Sequence, residues 1–278
     1  MDISINGKTA DITLEAEKTL GEVLAGVDNW LAGSGLFLSG LEVDGKTYGA
    51  HSMEEAFSLS LETIGTVDLK TSGWAELTLE ALEELRDELE EPGGTAAEDR
   101  VQAWKESPAA LFLGHNAPEL YDTAVKTLEG SFPPGGTLSL IAERIREIKN
   151  PFRELADSQG MIRETARRLE DLPLDTQTGK DVRAAETITL FSALTEKIYR
   201  LIFLFKHYGI GLETVELSPE TINLKDYIEE FSAALKELYS AYESKDTVLV
   251  GDLAEYELAP RLLRIGSALG DLAPAGEI

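Results

Sequence analysis

No cysteine occurs in the chain, and only three histidines do. The first absence removes disulfides, thiolate nucleophiles and Cys-ligated metals. His51, His115 and His207 stand far apart, with no H-E-x-x-H or E-x-x-H pair, so no histidine metal site is expected. Basic residues are scarce as well. Against 51 Asp plus Glu there are 25 Lys plus Arg, a net charge of −26 over 278 residues. A surface of that sign repels phosphate backbones and argues against nucleic-acid binding. No D-x-[DN]-x-[DN]-G calcium loop and no G-x-S-x-G elbow is present. Long apolar runs are missing too: Ile198 to Phe205 is far short of the ~20 residues that span a bilayer, and Arg200 interrupts it. The first residues lack the basic and apolar regions of a signal peptide. The expectation is a cytoplasmic protein with no membrane, nucleic-acid or cofactor partner.

What is present is a normal 43% of apolar residues, so the acidity coats a folded body. The charge is uneven. Residues 1–75 carry 12 acids and 4 bases, residues 76–100 carry 10 and 2, and residues 141–180 balance at 8 and 8. The hydrophobic period changes at the same place, near residue 75.

Before that point the pattern is strand-like. Ile3 and Ile5 alternate with polar residues, Asn6-Gly7 fits a two-residue type I′ turn, and Ala10, Ile12 and Leu14 resume the alternation. Thr19 with Glu22 forms a capping box, opening a helix with Leu20, Val23, Leu24, Val27, Trp30 and Leu31 on one face. Leu36 to Val43 reads as a strand, Asp44-Gly45 as a second hairpin turn, Met53 to Phe57 as one helical turn, and Val67 with Leu69 as a closing strand. This order over the first ~72 residues resembles the ubiquitin-like β-grasp fold, a mixed sheet wrapped on one helix. The family's C-terminal di-glycine tail is absent, since the chain continues through Gly73-Trp74. The resemblance therefore implies a recognition module rather than a conjugated tag.

One literal motif crosses this region. Gly40 to Thr47 satisfies G-x-x-x-x-G-K-[ST], the phosphate-binding loop. Glu42 and Asp44 would face the phosphates, and no long helix follows Thr47. The twin Asn6-Gly7-Lys8-Thr9 shows the same letters as hairpin chemistry, which is the reading taken here.

After Trp74 the pattern is helical, which makes the whole an α+β protein: a β-grasp-like domain at 1–73 and an all-helical domain at 74–278. An acidic helix over about 75–91 precedes Pro92-Gly93-Gly94-Thr95, a tetrapeptide that recurs as Pro134-Gly135-Gly136-Thr137. Each Thr is placed as an N-cap. Leu172 to Lys180 reads as a polar loop around Pro173, and Pro260 must kink the last helix.

Three sets of residues are candidate sites. Leu224, Ile228, Phe231, Leu235, Leu238 and Tyr242 step by 4, 3, 4, 3, 4 and make a heptad seam for a homodimer or partner. Arg163 and Arg167, at i and i+4, are candidate contacts for a small anion, with intramolecular pairing as the alternative. Glu83, Glu84, Asp87 and Glu90 form a candidate docking face for a basic protein, or simply a solvated face. No catalytic, cofactor or metal residue stands out. The expected function is a non-enzymatic adaptor or scaffold working through protein contacts; the alternative is an anion-binding protein or enzyme with an inter-helical pocket around Arg163 and Arg167.

Overall fold

A computed structural model describes residues 1–10, 12–14, 16–49, 52–90, 97–217 and 222–272. His51 and the first Pro-Gly-Gly-Thr copy lie outside these residues. The chain forms two compact units, Met1–Ile145 and Arg146–Ile278. As expected, it is α+β: an N-terminal mixed sheet followed by helices.

The first unit opens with β1 (Asp2–Ile5) and β2 (Lys8–Thr9), then α1 (Leu20–Gly33), β3 (Leu36–Val43), β4 (Lys46–Gly49), the single turn α2 (Glu54–Phe57) and β5 (Thr66–Gly73). The sheet order is β2-β1-β5-β3-β4; β1 and β5 run parallel and the other pairs antiparallel. Ile5 pairs with Lys8 and Val43 with Lys46, so each hairpin closes over two residues. Asn6, Gly7, Asp44 and Gly45 all have positive φ, between 48° and 83°, as type I′ turns require. The turn side chains also tie both hairpins to the central strand. The Asn6 amide donates to Thr71 Oγ1 at 2.9 Å and accepts from the Thr71 N–H at 3.0 Å. Asp44 accepts from the Gly65 and Thr66 N–H groups at 3.0 and 2.7 Å, which holds its carboxyl below the usual carboxylate range. The Gly40–Thr47 motif is therefore a hairpin, with Asp44 used inside the sheet.

Leu20, Val23, Leu24, Val27 and Leu31 of α1 are buried against Ile3, Leu41, Val43, Val67 and Leu69. The Glu22 carboxylate closes the capping box by accepting from the Lys18 and Thr19 N–H groups at 2.6 and 3.2 Å. Two expectations are corrected. Ile12 and Leu14 are not in strand β2, because the chain leaves the ladder after Thr9 and Ile12 packs onto the core instead. Trp30 belongs to the outer side of α1 and is 60% exposed.

Helices α3 (Trp74–Glu90), α4 (Ala97–Lys105), α5 (Pro108–Asn116), α6 (Pro118–Leu128) and α7 (Pro134–Lys149) follow. Phe37 of β3 meets Phe112 of α5 edge to face at 5.8 Å. Trp104 of α4 stacks on Tyr121 of α6 at 5.6 Å. Thr137 is not an N-cap: α7 already starts at Pro134, and the Thr137 hydroxyl is buried in a 2.6 Å pair with that of Thr127.

The second unit holds α8 (Pro151–Gln177), α9 (Asp181–His207), a two-stranded ribbon β6 (Glu216–Leu217) and β7 (Ile222–Asn223), α10 (Leu224–Glu243), α11 (Thr247–Asp252) and α12 (Ala259–Gly270). The expected polar loop around Pro173 is instead the last two turns of α8. Thr176 and Thr178 donate to the carbonyls of Leu172, Pro173 and Leu174, and Gly179, at φ 71°, ends the helix. Between α11 and α12, Leu253–Leu258 is π-helical, with the Ala259 N–H reaching the Ala254 carbonyl. The wider turn lets the chain pass Pro260, whose ring would clash with the carbonyl four residues back in an α-helix.

Buried charge fixes how these helices register. Glu147, only 1% exposed, accepts both Arg200 Nε and Nη2 at 2.9 Å, with Lys197 Nζ 3.9 Å away. Glu154 accepts from Lys197 at 2.8 Å and from Arg146 at 3.0 Å. Phe152 packs on Phe205 at 4.9 Å, and Phe191 meets Phe231 edge-on at 6.3 Å.

Removing Glu147 takes away the carboxylate that Arg200 grips with two hydrogen bonds, at a position only 1% exposed. Glu147→Ala should therefore lower stability by about 3–5 kcal/mol in urea unfolding, the order seen for broken buried pairs; a loss below about 1 kcal/mol would mean the pair is effectively solvated. Close helix packing gives a second test. A Cβ on Gly266 would lie 2.9 Å from Ile162 Cγ2, whereas one on Gly160 meets nothing within 4 Å. Gly266→Ala should cost about 1–3 kcal/mol through overpacking, and Gly160→Ala should add about 0.5–1 kcal/mol by helix propensity.

Candidate functional site

The three candidate sets fall in different places. Along α10 the buried face is Leu224, Tyr227, Phe231, Ala234, Leu238 and Ala241. Leu224, Phe231 and Leu238 of the proposed seam are thus inside their own unit, Ile228 and Leu235 are half-buried, and Tyr242 is 65% exposed. The Tyr199 hydroxyl and Ser232 Oγ, 2.5 Å apart, add a polar tie between α9 and α10.

Arg163 is exposed, and Arg167 is held at the surface by carboxylates of its own helix. Arg167 donates through Nε and Nη2 to Glu164 at 3.2 and 2.9 Å and lies 3.2 Å from Asp171. Arg168 also donates to Glu164, and together the guanidiniums draw its carboxyl down to about 2. The ladder continues through Asp171 to Arg183 at 2.7 Å and on to Asp175. Asp175 is 1% exposed, with Lys180 at 3.3 Å; Arg183 Nε lies 3.0 Å from Oδ2 without the alignment of a hydrogen bond. These arginines clasp the α8–α9 turn and line neither cavity described below.

On α3, Glu83 and Glu84 are half-buried, while Asp87 and Glu90 are exposed. Arg86 donates twice to Asp87, so part of this face is neutralised within the helix. His115 and His207 each turn Nδ1 toward a carbonyl four residues back in the same helix. Among the described residues no group of three His, Asp or Glu could hold a metal ion, and no helix is long and apolar enough to cross a membrane.

The feature that periodicity did not single out is a groove beside β2. It has a volume of about 670 Å³ between the end of the first hairpin and α1. Ile5, Ala10, Ile12 and Leu14 form one wall, Val23, Val27 and Trp30 the other, with Lys8, Glu17 and Glu22 at polar positions. β2 is an edge of the sheet. Ile5 pairs with Lys8, and the Ala10 N–H reaches the Ile3 carbonyl at 2.9 Å. Antiparallel alternation then directs the Thr9 N–H and C=O away from β1, outward from the sheet edge. Spacing gave no sign of it, because Trp30 follows Val27 at i+3 and reads as part of the same apolar face.

Asp68 on β5 holds the hairpin that forms this wall. Its carboxylate accepts from Ser4 Oγ at 2.6 Å, from the Gly7 N–H at 2.8 Å and from Lys70. The Lys70 and Ser4 hydrogen bonds draw its pKa down to about 2.

A family model described as TP0873 N-terminal domain matches residues 1–73, and a domain of unknown function, DUF8042, matches residues 155–267. An uncharacterized protein of Treponema pallidum (strain Nichols) is 25% identical over 260 residues, covering 94% of this chain and 92% of the relative. No solved structure matches the chain. The first match encloses the groove beside β2.

A carboxyl with a depressed pKa stabilises the fold above its unfolded value and loses that contribution as protons bind. The part of stability due to Asp68 should be complete above about pH 4 and disappear as the pH falls toward its folded value of about 2. Asp68→Asn should lower stability at pH 7 and flatten this acid limb, as read by urea unfolding across pH. An unchanged limb would show that the Ser4 and Gly7 bonds do not depend on the charge.

Proposed function

We propose that the protein is a non-enzymatic adaptor whose N-terminal unit docks an extended, basic-and-apolar segment of a partner protein in the groove beside β2. The observation that carries this reading is the coincidence of three features: an edge strand with outward backbone groups at Thr9, an apolar trough, and an indole 60% exposed at its rim. An exposed strand edge beside apolar pockets is the combination that strand addition uses, backbone bonds giving affinity and alternate side-chain pockets giving specificity. Further support comes from the sheet order, the parallel β1–β5 pair and the single long helix after the first hairpin. This arrangement agrees with reading residues 1–73 as a β-grasp recognition module. The charge of the partner follows from the surplus of acids, 12 against 4 bases in residues 1–75, and at the groove itself Glu17 and Glu22 outnumber Lys8.

The test uses the whole chain and a capped hexapeptide, Lys-Val-Lys-Ile-Lys-Val, with Glu-Val-Glu-Ile-Glu-Val as its charge-reversed control. The basic peptide should bind saturably by calorimetry and the acidic one should not. Trp30→Ala should abolish binding with unfolding unchanged, and Glu17→Lys should weaken it roughly fivefold, about 1 kcal/mol for one exposed pair. Equal binding of both peptides, no binding of either, or full binding by Trp30→Ala would overturn the reading.

A further inference from the structure

The second unit carries an opening of its own, of about 620 Å³, which the adaptor reading does not use. Helices α9 and α10 are joined at Phe191–Phe231 and Tyr199–Ser232. Toward the start of α9 and the end of α10 they border a cavity instead. Leu172, Ala184, Ala185, Ile188 and Val250 supply its apolar lining, and the ring of Tyr242 stands exposed at its edge. Ala184 is half-buried and Ala185 exposed along it. Thr176, Thr189 and Thr247 are the uncharged hydroxyls of the lining besides Tyr242. Thr176 and Thr189 already give their hydroxyl hydrogens to carbonyls of Leu172, Pro173 and Ala185, so each can only accept.

The two charged residues of the lining are Asp181 and Lys245. Both are exposed, and neither side chain forms an ion pair or hydrogen bond among the described residues. They are of opposite sign yet do not neutralise each other. We infer that this cavity binds a small zwitterion with an apolar body, of the class of aromatic amino acids. Its ammonium would face Asp181, its carboxylate Lys245, and its ring the apolar floor beside Tyr242. The volume lies within the range of about 300–1,000 Å³ typical of small-ligand sites, and an apolar floor with a few orienting polar groups is their usual composition. A singly charged ligand would leave one of the two charges unmatched, so the pair selects for a molecule carrying both.

Three probes share one ring and differ only in charge: L-tryptophan, tryptamine and indole-3-propionate. Titrated into the whole chain and followed by calorimetry, tryptophan should bind saturably and roughly fivefold more tightly than either analogue, about 1 kcal/mol for each matched charge. Asp181→Asn should erase the preference for tryptophan over indole-3-propionate, and Lys245→Gln its preference over tryptamine. Ala185→Trp should fill the cavity and abolish binding with the thermal midpoint unchanged. Should Ala185→Trp fail to fold, Ala184→Leu serves the same purpose. No saturable binding, equal affinity for the three probes, or variants that leave the preferences intact would overturn the inference.

Discussion

The pairing of buried carboxylates with cations is the constraint on which the second unit is built. Residues 146–278 hold 16 of the chain's 25 bases against 24 of its 51 acids, and several of these cations stand where helices meet. Lys197 and Arg200 of α9 hold the buried Glu147 and Glu154, while Arg183 and Lys180 hold the buried Asp175. A buried carboxylate without a cation would be expelled or protonated, so each pair admits few helix registers. Exposed arginines such as Arg167 repeat the pattern at the surface, where a pair is worth only about 0–1 kcal/mol. The balanced charge of residues 141–180 thus has a structural use before any question of ligands arises.

Local chemistry made the first 73 residues readable. Asn-Gly and Asp-Gly require positive φ at both turn positions and deliver it, and the side chains that favour those turns also bind the neighbouring strand. Long-range burial was less legible. Heptad spacing on α10 found Leu224, Phe231 and Leu238, but Tyr227, Ala234 and Ala241 complete the buried face, because alanines and a tyrosine are weak hydrophobic signals. Pro173 looked like a helix end and is not. A cyclised residue costs one hydrogen bond in the helix, and here its ring packs close to Gly251 of α11, a partner no local rule reveals.

Sites are harder to read than folds for the same reason. The groove beside β2 joins residues from 5 to 30, near neighbours in sequence, yet its one conspicuous mark is a tryptophan that the spacing assigns to the core face and the structure leaves exposed. The cavity of the second unit joins residue 172 to residue 250, and nothing in the spacing of Asp181 and Lys245 hints that they border one space. Among the candidates drawn from charge runs, Arg167 and Asp87 pair within their own helices, while Arg163 and Glu90 stand exposed. Openings left by short edge strands and diverging helices offer surfaces that the fold itself does not consume.

Residue-resolved amide hydrogen exchange on the whole chain, with and without a saturating basic strand-forming peptide, tests the docking claim most directly. Slowed exchange at Lys8 and Thr9, together with changes along Val23 to Trp30, is the result expected of a strand added at the β2 edge. Slowing confined to the opposite edge, Lys46–Gly49, or to residues 146–278, with Thr9 unaffected, would contradict it.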